Sequence, residues 1–172
     1  MYKCEINQLI NNQNVTNALK LIAQKLSNQN INWVIITSCG LALKGINFQP
    51  NDIDILTDES GILSINKILK NYESQPISSA PSEIFNSLIN KFLINNCEVE
   101  VFCDFKIKSR TDNKWNNTNS MLQQPDIIEI ENLKIPVLPL FKSLELYKLM
   151  GREKDIIKAI KIEKFIMHKS NL

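Results

Sequence analysis

The stretch Asp52-Ile53-Asp54-Ile55-Leu56 constrains this chain more than any other. Acidic and β-branched residues alternate in it, and a period of two belongs to a β-strand with one wet face. Asp52 and Asp54 then point one way, while Ile53 and Ile55 enter a core. Upstream, Ile31 to Ile36 is a β-branched run that reads as a buried strand. Ser38 to Lys44 follows as a short helical turn of small residues, bounded by Gly40 and Gly45. Ser38 stands fourteen residues before Asp52. Carboxylates two apart on a strand are separated by roughly 6–7 Å. That spacing lets them converge on divalent cations about 3.5–4 Å apart, and hard oxygen ligands suit Mg²⁺.

The other elements follow from periodicity. Val15, Ala18, Leu19, Ile22, Ala23 and Leu26 predict a helix over 14–28, capped by Asn12 or Asn14. Thr57 or Asp58 starts a helix over about 59–71. Pro76, Pro81 and four serines mark 74–82 as a loop, and 82–88 fits no single pattern. Lys91–Ile94, Asn95-Asn96 and Cys97–Phe105 predict a hairpin, because Asn tolerates positive φ. Ser109–Gln124 is polar and reads as a long surface loop. Ile127–Ile130 and Ile135–Leu138 predict a second hairpin with Pro136 near an edge. Helices over about 140–149 and 153–167 complete the chain.

With 172 residues and 44% hydrophobic content, the chain fits one ordinary globular domain. A net charge of +2 is too small to diagnose a nucleic-acid binder. The four cysteines (Cys4, Cys39, Cys97, Cys103) form no CxxC pair, and His168 is the single histidine, which argues against zinc. Cys39, Cys97 and Cys103 read as small buried hydrophobes, and nothing suggests a disulfide framework. A reducing cytoplasm fits, and no apolar run is long enough to span a membrane.

The strand Cys97–Phe105 supplies a third acid. Cys97, Val99, Val101, Cys103 and Phe105 share one face; Glu98, Glu100, Phe102 and Asp104 share the other. Glu100, at mid-strand, is the expected companion of Asp52 and Asp54, with Glu98 and Asp104 as alternates. Such a like-charged cluster with no evident Arg partner calls for a cation. Lys44, Arg152 and Lys154 are candidates for holding a polyphosphate, although a solvated surface charge is the simpler reading of each. Trp33, Trp115 and Tyr147 read as packing residues and Asp58 as a helix cap.

The order of apolar strand, Ser in a small-residue turn, Asp-x-Asp and a later acidic strand resembles the minimal nucleotidyltransferases of the DNA polymerase β-like superfamily. The residues that carry it are Ser38-Cys-Gly-Leu-Ala-Leu-Lys-Gly45, Ile53–Asp58, Val99-Glu-Val101, Pro136-Val-Leu-Pro-Leu140 and Gly151-Arg-Glu-Lys-Asp155. Lincosamide and aminoglycoside nucleotidyltransferases are similar in size and motif. The resemblance implies an α+β fold, with a mixed β-sheet flanked by α-helices. Residues 1–138 would form the core, and the helical segment 139–172 would pack on it within a single domain.

The same resemblance implies Mg²⁺-dependent transfer of a nucleoside monophosphate from an NTP to an acceptor hydroxyl, with one or two ions and Mn²⁺ as a substitute. Asp52, Asp54 and Glu100 would hold the metal. Ser38 would bind the triphosphate, with Thr37, Lys44 and Arg152 as further candidates, read from the residues themselves, for contacting the nucleotide. The family pattern has Gly where this chain has Thr37, whose hydroxyl could reach a phosphate or whose bulk could weaken NTP binding. A small molecule is the expected acceptor, with protein or RNA open, and loops 74–90 and 106–126 are expected to select it. The competing expectations are an antitoxin-like partner of a toxin and a catalytically silent NTP-binding module.

Overall fold

The computed structural model describes residues 10–170. Its elements are α1 (Gln13–Leu26), β1 (Trp33–Ile36), α2 (Thr37–Leu43), β2 (Asp52–Thr57), α3 (Glu59–Leu69), β3 (Glu73–Ser79), β4 (Phe85–Ile94), β5 (Cys97–Lys108), β6 (Trp115–Asn117), β7 (Asp126–Ile130), β8 (Leu133–Val137), α4 (Leu140–Met150) and α5 (Glu153–Ser170). The strands form one mixed sheet in the order β3-β4-β5-β2-β1-β8-β7, with β6 added to β5. β2 runs parallel to β5, and β1 parallel to β8; the other pairs are antiparallel.

Local chemistry sets the boundaries. Asn12 Oδ1 accepts from the N–H of Asn14 and of Val15 and so starts α1. Asp58 Oδ1 accepts from Gly61 N at 2.8 Å and starts α3, as a cap should. Two tight turns carry positive φ at both residues: Asn95 (52°) with Asn96 (59°), and Glu131 (52°) with Asn132 (66°). That geometry matches the twist of the flanking strands, so both expected hairpins form. Gly151, at φ 60°, ends α4 and frees the chain to turn into α5.

Helices cover both sheet faces. Ile35, Ile53, Ile55, Val99 and Val101 pack with α1 and α3 in one core. Val34, Ile36, Leu56, Phe105 and Ile107 pack with α4 and α5 in the other. Among the described residues no helix is long and apolar enough to cross a membrane. Cys39, Cys97 and Cys103 are buried and free; Cys4 lies outside the described residues.

Four expectations are corrected. Residues 73–79 are not a loop but an edge strand. Its register with β4 shifts twice around Pro76, the kind of irregularity an edge tolerates. The polar stretch 109–124 contains β6 and a short 3-10 turn, and Trp115 there is 48% exposed rather than packed. β8 lies one strand inside the edge; its single register position with β1, Ile35 opposite Val137, leaves room for Pro136. Phe105 does not share a face with Cys97–Cys103. Between the pairs Leu88–Cys103 and Asn86–Lys106, β5 carries one extra residue, and Asp104 sits at φ 47°. This β-bulge reverses the alternation, turning Phe105 and Ile107 to the α4–α5 side.

Candidate active site

β2 delivers Asp52 and Asp54 to the same face as Leu56, the side covered by α4 and α5. Parallel pairing sets Glu98 opposite Asp52 and Glu100 opposite Asp54. On the other flank, Ile36 lies opposite Asp54, so Thr37 follows immediately beside that carboxyl. Asp52, Asp54, Glu100 and Thr37 all line one cavity of about 440 Å³. Phe85, Phe102, Phe105, Leu146 and Met150 form its apolar wall, with Arg152 and Lys154 at its rim. Glu98 and Asp104 are not among its walls; the bulge directs Asp104 toward a separate hollow with Asp58 and Glu59.

Asp54 is the electrostatic centre. Burial raises its pKa from 3.8 to about 7, and the charges of Asp52 and Glu100 add to the rise. Thr37 opposes the shift by donating from Oγ1 to Asp54 Oδ2 at 2.5 Å. Glu100 has a basic partner, a lysine rather than the arginine whose absence the sequence reading weighed. Lys91, its cross-strand neighbour on β4, forms an ion pair with it and a weaker one with Glu98 at 3.4 Å. With Glu100 drawn toward Lys91, no three His, Cys, Asp or Glu side chains among the described residues are grouped closely enough to enclose a metal. Asp52 and Asp54 remain a pair of hard oxygen donors with no ion-pair partner among the described residues. Such a donor set fits a divalent cation such as Mg²⁺, which Glu100 can join by leaving Lys91.

Thr37 explains its own departure from glycine. It adopts φ 57°, a left-handed conformation that costs a side-chain-bearing residue roughly 1–2 kcal/mol. Its bond to Asp54 offsets that strain, since hydrogen bonds to charged groups contribute about 1.5–3 kcal/mol. Thr37→Val keeps the strain and loses the bond, so chemical denaturation is expected to show a loss of about 1–3 kcal/mol. Thr37→Gly loses both and is expected to stay within about 1 kcal/mol of wild type. Equal stability of the Val variant and the wild type would remove the hydroxyl from this account.

The remaining candidates divide. Arg152 reaches the cavity and is held there by Asp155, with Nε 2.5 Å from Oδ2 and Nη2 3.0 Å from Oδ1. Its guanidinium lies 4.9 Å from the Phe85 ring centroid. Lys44 does not reach the cavity. At the end of α2 it pairs with Asp126 of β7, on the far side of β1 and β8, so its proposed nucleotide contact is corrected. Ser38 is one residue beyond the wall that Thr37 forms.

Tyr147 is buried, as a packing residue should be, but its place beside the acids, and that of Lys158, escaped the sequence reading. The Tyr147 hydroxyl is buried with no hydrogen-bond partner among the described residues. Burial pushes its pKa up, and the charge of Asp54 adds to this. The Lys158 ammonium lies 5.2 Å from the Tyr147 ring centroid. Its pKa is lowered by burial, against the pull of Asp155 and Asp54. The one signal was the spacing of Lys154 and Lys158, four apart on a helix, which sets both on one side.

Comparison with known proteins returns a consistent picture. The model of the family described as aminoglycoside-2''-adenylyltransferase matches residues 18–162. No curated protein matches the chain. The crystal structure of an inferred nucleotidyltransferase from Thermotoga maritima superposes with a TM-score of 0.71 at 29% identity, covering 87% of this chain and 91% of that one. ANT(2'')-Ia, solved in complex with adenylyl-2''-tobramycin, superposes with a TM-score of 0.52 at 9% identity, covering 84% and 85% of the two chains. At that identity the second likeness is one of fold alone.

Proposed function

Because the chain belongs to the aminoglycoside-2''-adenylyltransferase family, we propose that it is a divalent-cation-dependent nucleotidyltransferase. It would move a nucleoside monophosphate from an NTP to an acceptor hydroxyl. The observation that carries this reading is the convergence of Asp52, Asp54 and Glu100 on one cavity, with the pKa of Asp54 raised to about 7 by burial and, in smaller part, by its acidic neighbours. Carboxylates so placed destabilise one another unless a cation joins them.

The reaction is an in-line displacement. The acceptor oxygen forms a bond to the α-phosphorus, the bond from that phosphorus to the bridging oxygen breaks, and pyrophosphate leaves. Asp52 and Asp54 would hold Mg²⁺ or Mn²⁺, with Thr37 fixing the Asp54 carboxyl. The bound cation would supply charge neutralisation at the phosphates. Glu100, released from Lys91, would take the hydroxyl proton. Asp155 engages Nε and Nη2 of Arg152 and leaves Nη1 for a phosphate oxygen. Lys154 at the rim and the half-buried Lys158 add positive charge along the same side.

NTPs labelled at the α-phosphate, incubated with Mg²⁺ and a panel of hydroxyl acceptors, are expected to yield labelled product and pyrophosphate. In calorimetry, Mg²⁺ is expected to tighten NTP binding at least about tenfold, a gain of about 1.4 kcal/mol, and Asp52→Ala to abolish that gain. NTP affinity indifferent to Mg²⁺ in the wild type would sink the reading.

A further inference from the structure

Two acids of the cavity are held from opposite flanks. At one level across the sheet stand Lys91 on β4, Glu100 on β5 and Asp54 on β2, with Thr37 beyond Asp54 at the end of β1. Neighbouring strands lie about 4.8 Å apart, so ionised carboxylates on β5 and β2 at this level repel each other. Each has an outer partner. Thr37 donates to Asp54 from the β1 flank, and Lys91 pairs with Glu100 from the β4 flank. Lys91 is a counter-ion supplied by the fold, and it stands on the side of Glu100 away from Asp52 and Asp54.

The same ammonium has a second carboxylate in reach. Glu98 shares the face of Glu100 on β5, diagonal to Lys91, and its Oε1 lies 3.4 Å from Lys91 Nζ. The Glu98 side chain is 58% exposed, against 24% for Glu100, and only Glu100 lines the cavity. Glu98 is therefore free to follow Lys91 into solvent. An ammonium that gives up Glu100 is received by Glu98 through side-chain rotation alone, with the strand register unchanged.

We infer that Lys91 is a positioning residue that controls Glu100: it holds Glu100 against β4 in the cation-free chain and passes to Glu98 when Asp52 and Asp54 take up a divalent cation, releasing Glu100 to the site. This rests on the proposed function for the cation and adds a consequence of its own. Lys91 competes with the cation for Glu100, so the chain without nucleotide binds divalent ions more weakly than its three carboxylates allow.

The test titrates Mn²⁺ into the full chain without nucleotide and follows the free ion by electron paramagnetic resonance. The buffer holds about 0.3 M KCl, which screens repulsion across the site more than a contact pair. Lys91→Met is expected to tighten binding about fivefold, the scale of a partly exposed ion pair. Lys91→Gln is expected to do the same, which keeps the test alive if the first variant misfolds. Lys91→Arg keeps the charge and the pairing, and is expected to bind no more tightly than wild type. Glu98→Gln removes the receiving partner and is expected to weaken binding roughly threefold only where Lys91 is present.

The deciding comparison uses Glu100→Gln as a background. Lys91 then has no carboxylate at position 100 to hold, so adding Lys91→Met is expected to change Mn²⁺ affinity less than about twofold. Plain repulsion between Lys91 and the ion would give the same gain in both backgrounds, and that result would overturn the inference. So would no gain from Lys91→Met or Lys91→Gln in the wild-type background, including a variant that binds Mn²⁺ too weakly to detect. Failure of the transferase reading is a different result: wild-type NTP affinity indifferent to Mg²⁺, whatever Lys91 does to Mn²⁺.

Discussion

Asp54→Asn is expected to lower nucleotidyl transfer about 100-fold or more while making the protein more stable at alkaline pH. The two effects share one cause. Asp54 is held between its neighbours with its pKa raised from 3.8 to about 7, so its ionised form is disfavoured by the fold. A carboxyl whose pKa is higher folded than unfolded contributes stability that is full below about pH 4 and is lost as pH rises through about 7. Three units correspond to about 4 kcal/mol, and the partial exposure of the carboxyl reduces the expectation to about 2 kcal/mol. Asparagine has the same shape, still accepts from Thr37, and carries no charge at any pH.

Melting curves should therefore coincide near pH 4 and diverge by pH 8. A gain of about 2 kcal/mol there moves the variant's midpoint up by roughly 4–8 °C. Added Mg²⁺ should narrow the gap by stabilising the wild type alone, because a ligand of the native state shifts its stability by mass action. An Asn variant less stable than wild type at pH 8 would mean that the charge of Asp54 is compensated by something other than a cation.

The fold was legible where one rule acted alone. Asp52–Leu56 and Cys97–Cys103 alternate, and both became strands with the acids on one face, because burying the other face fixes register. The hairpin at Asn95-Asn96 needed only residues that accept positive φ. The misreadings fall where a local rule met a tertiary one. Glu73–Ser79 carries the serines and proline of a loop, yet the open edge beside β4 accepts it as a strand. Phe105 continues the parity of Cys103, and only the extra residue at Asp104 moves it across the sheet.

The site divides in the same way. Asp52, Asp54, Thr37 and Glu100 could be grouped because alternation and a short turn predict direction. Lys44 could not be excluded, since its partner Asp126 is 82 residues away in sequence and only the sheet order brings them together. The approach of Tyr147 and Lys158 to Asp54 was unreadable for a similar reason. Each sits on a helix whose approach to Asp54 depends on how α4 and α5 cross the sheet.

Arg152 joins that helical layer to the chemistry, and its removal is expected to have the largest effect on folding. Asp155 is completely buried, accepts two bonds from the Arg152 guanidinium, and accepts a third from the Arg152 backbone N–H at 3.2 Å. Arg152→Ala strands that carboxylate without its counter-ion, and breaking a buried pair from one side costs about 3–5 kcal/mol. Urea denaturation should register most of this as a lower midpoint with an unchanged slope. Affinity for Mg²⁺-NTP should fall as well, because the cation proposed to meet the triphosphate is gone. The double variant Arg152→Met with Asp155→Leu separates the two consequences. Replacing both members of a buried pair with apolar groups of similar size is often neutral, so stability should return to within about 1 kcal/mol of wild type. NTP affinity should stay as low as in the single variant. If the double variant regains both properties, Arg152 only props up the start of α5, and the positive charge that meets the nucleotide must come from Lys154 or Lys158.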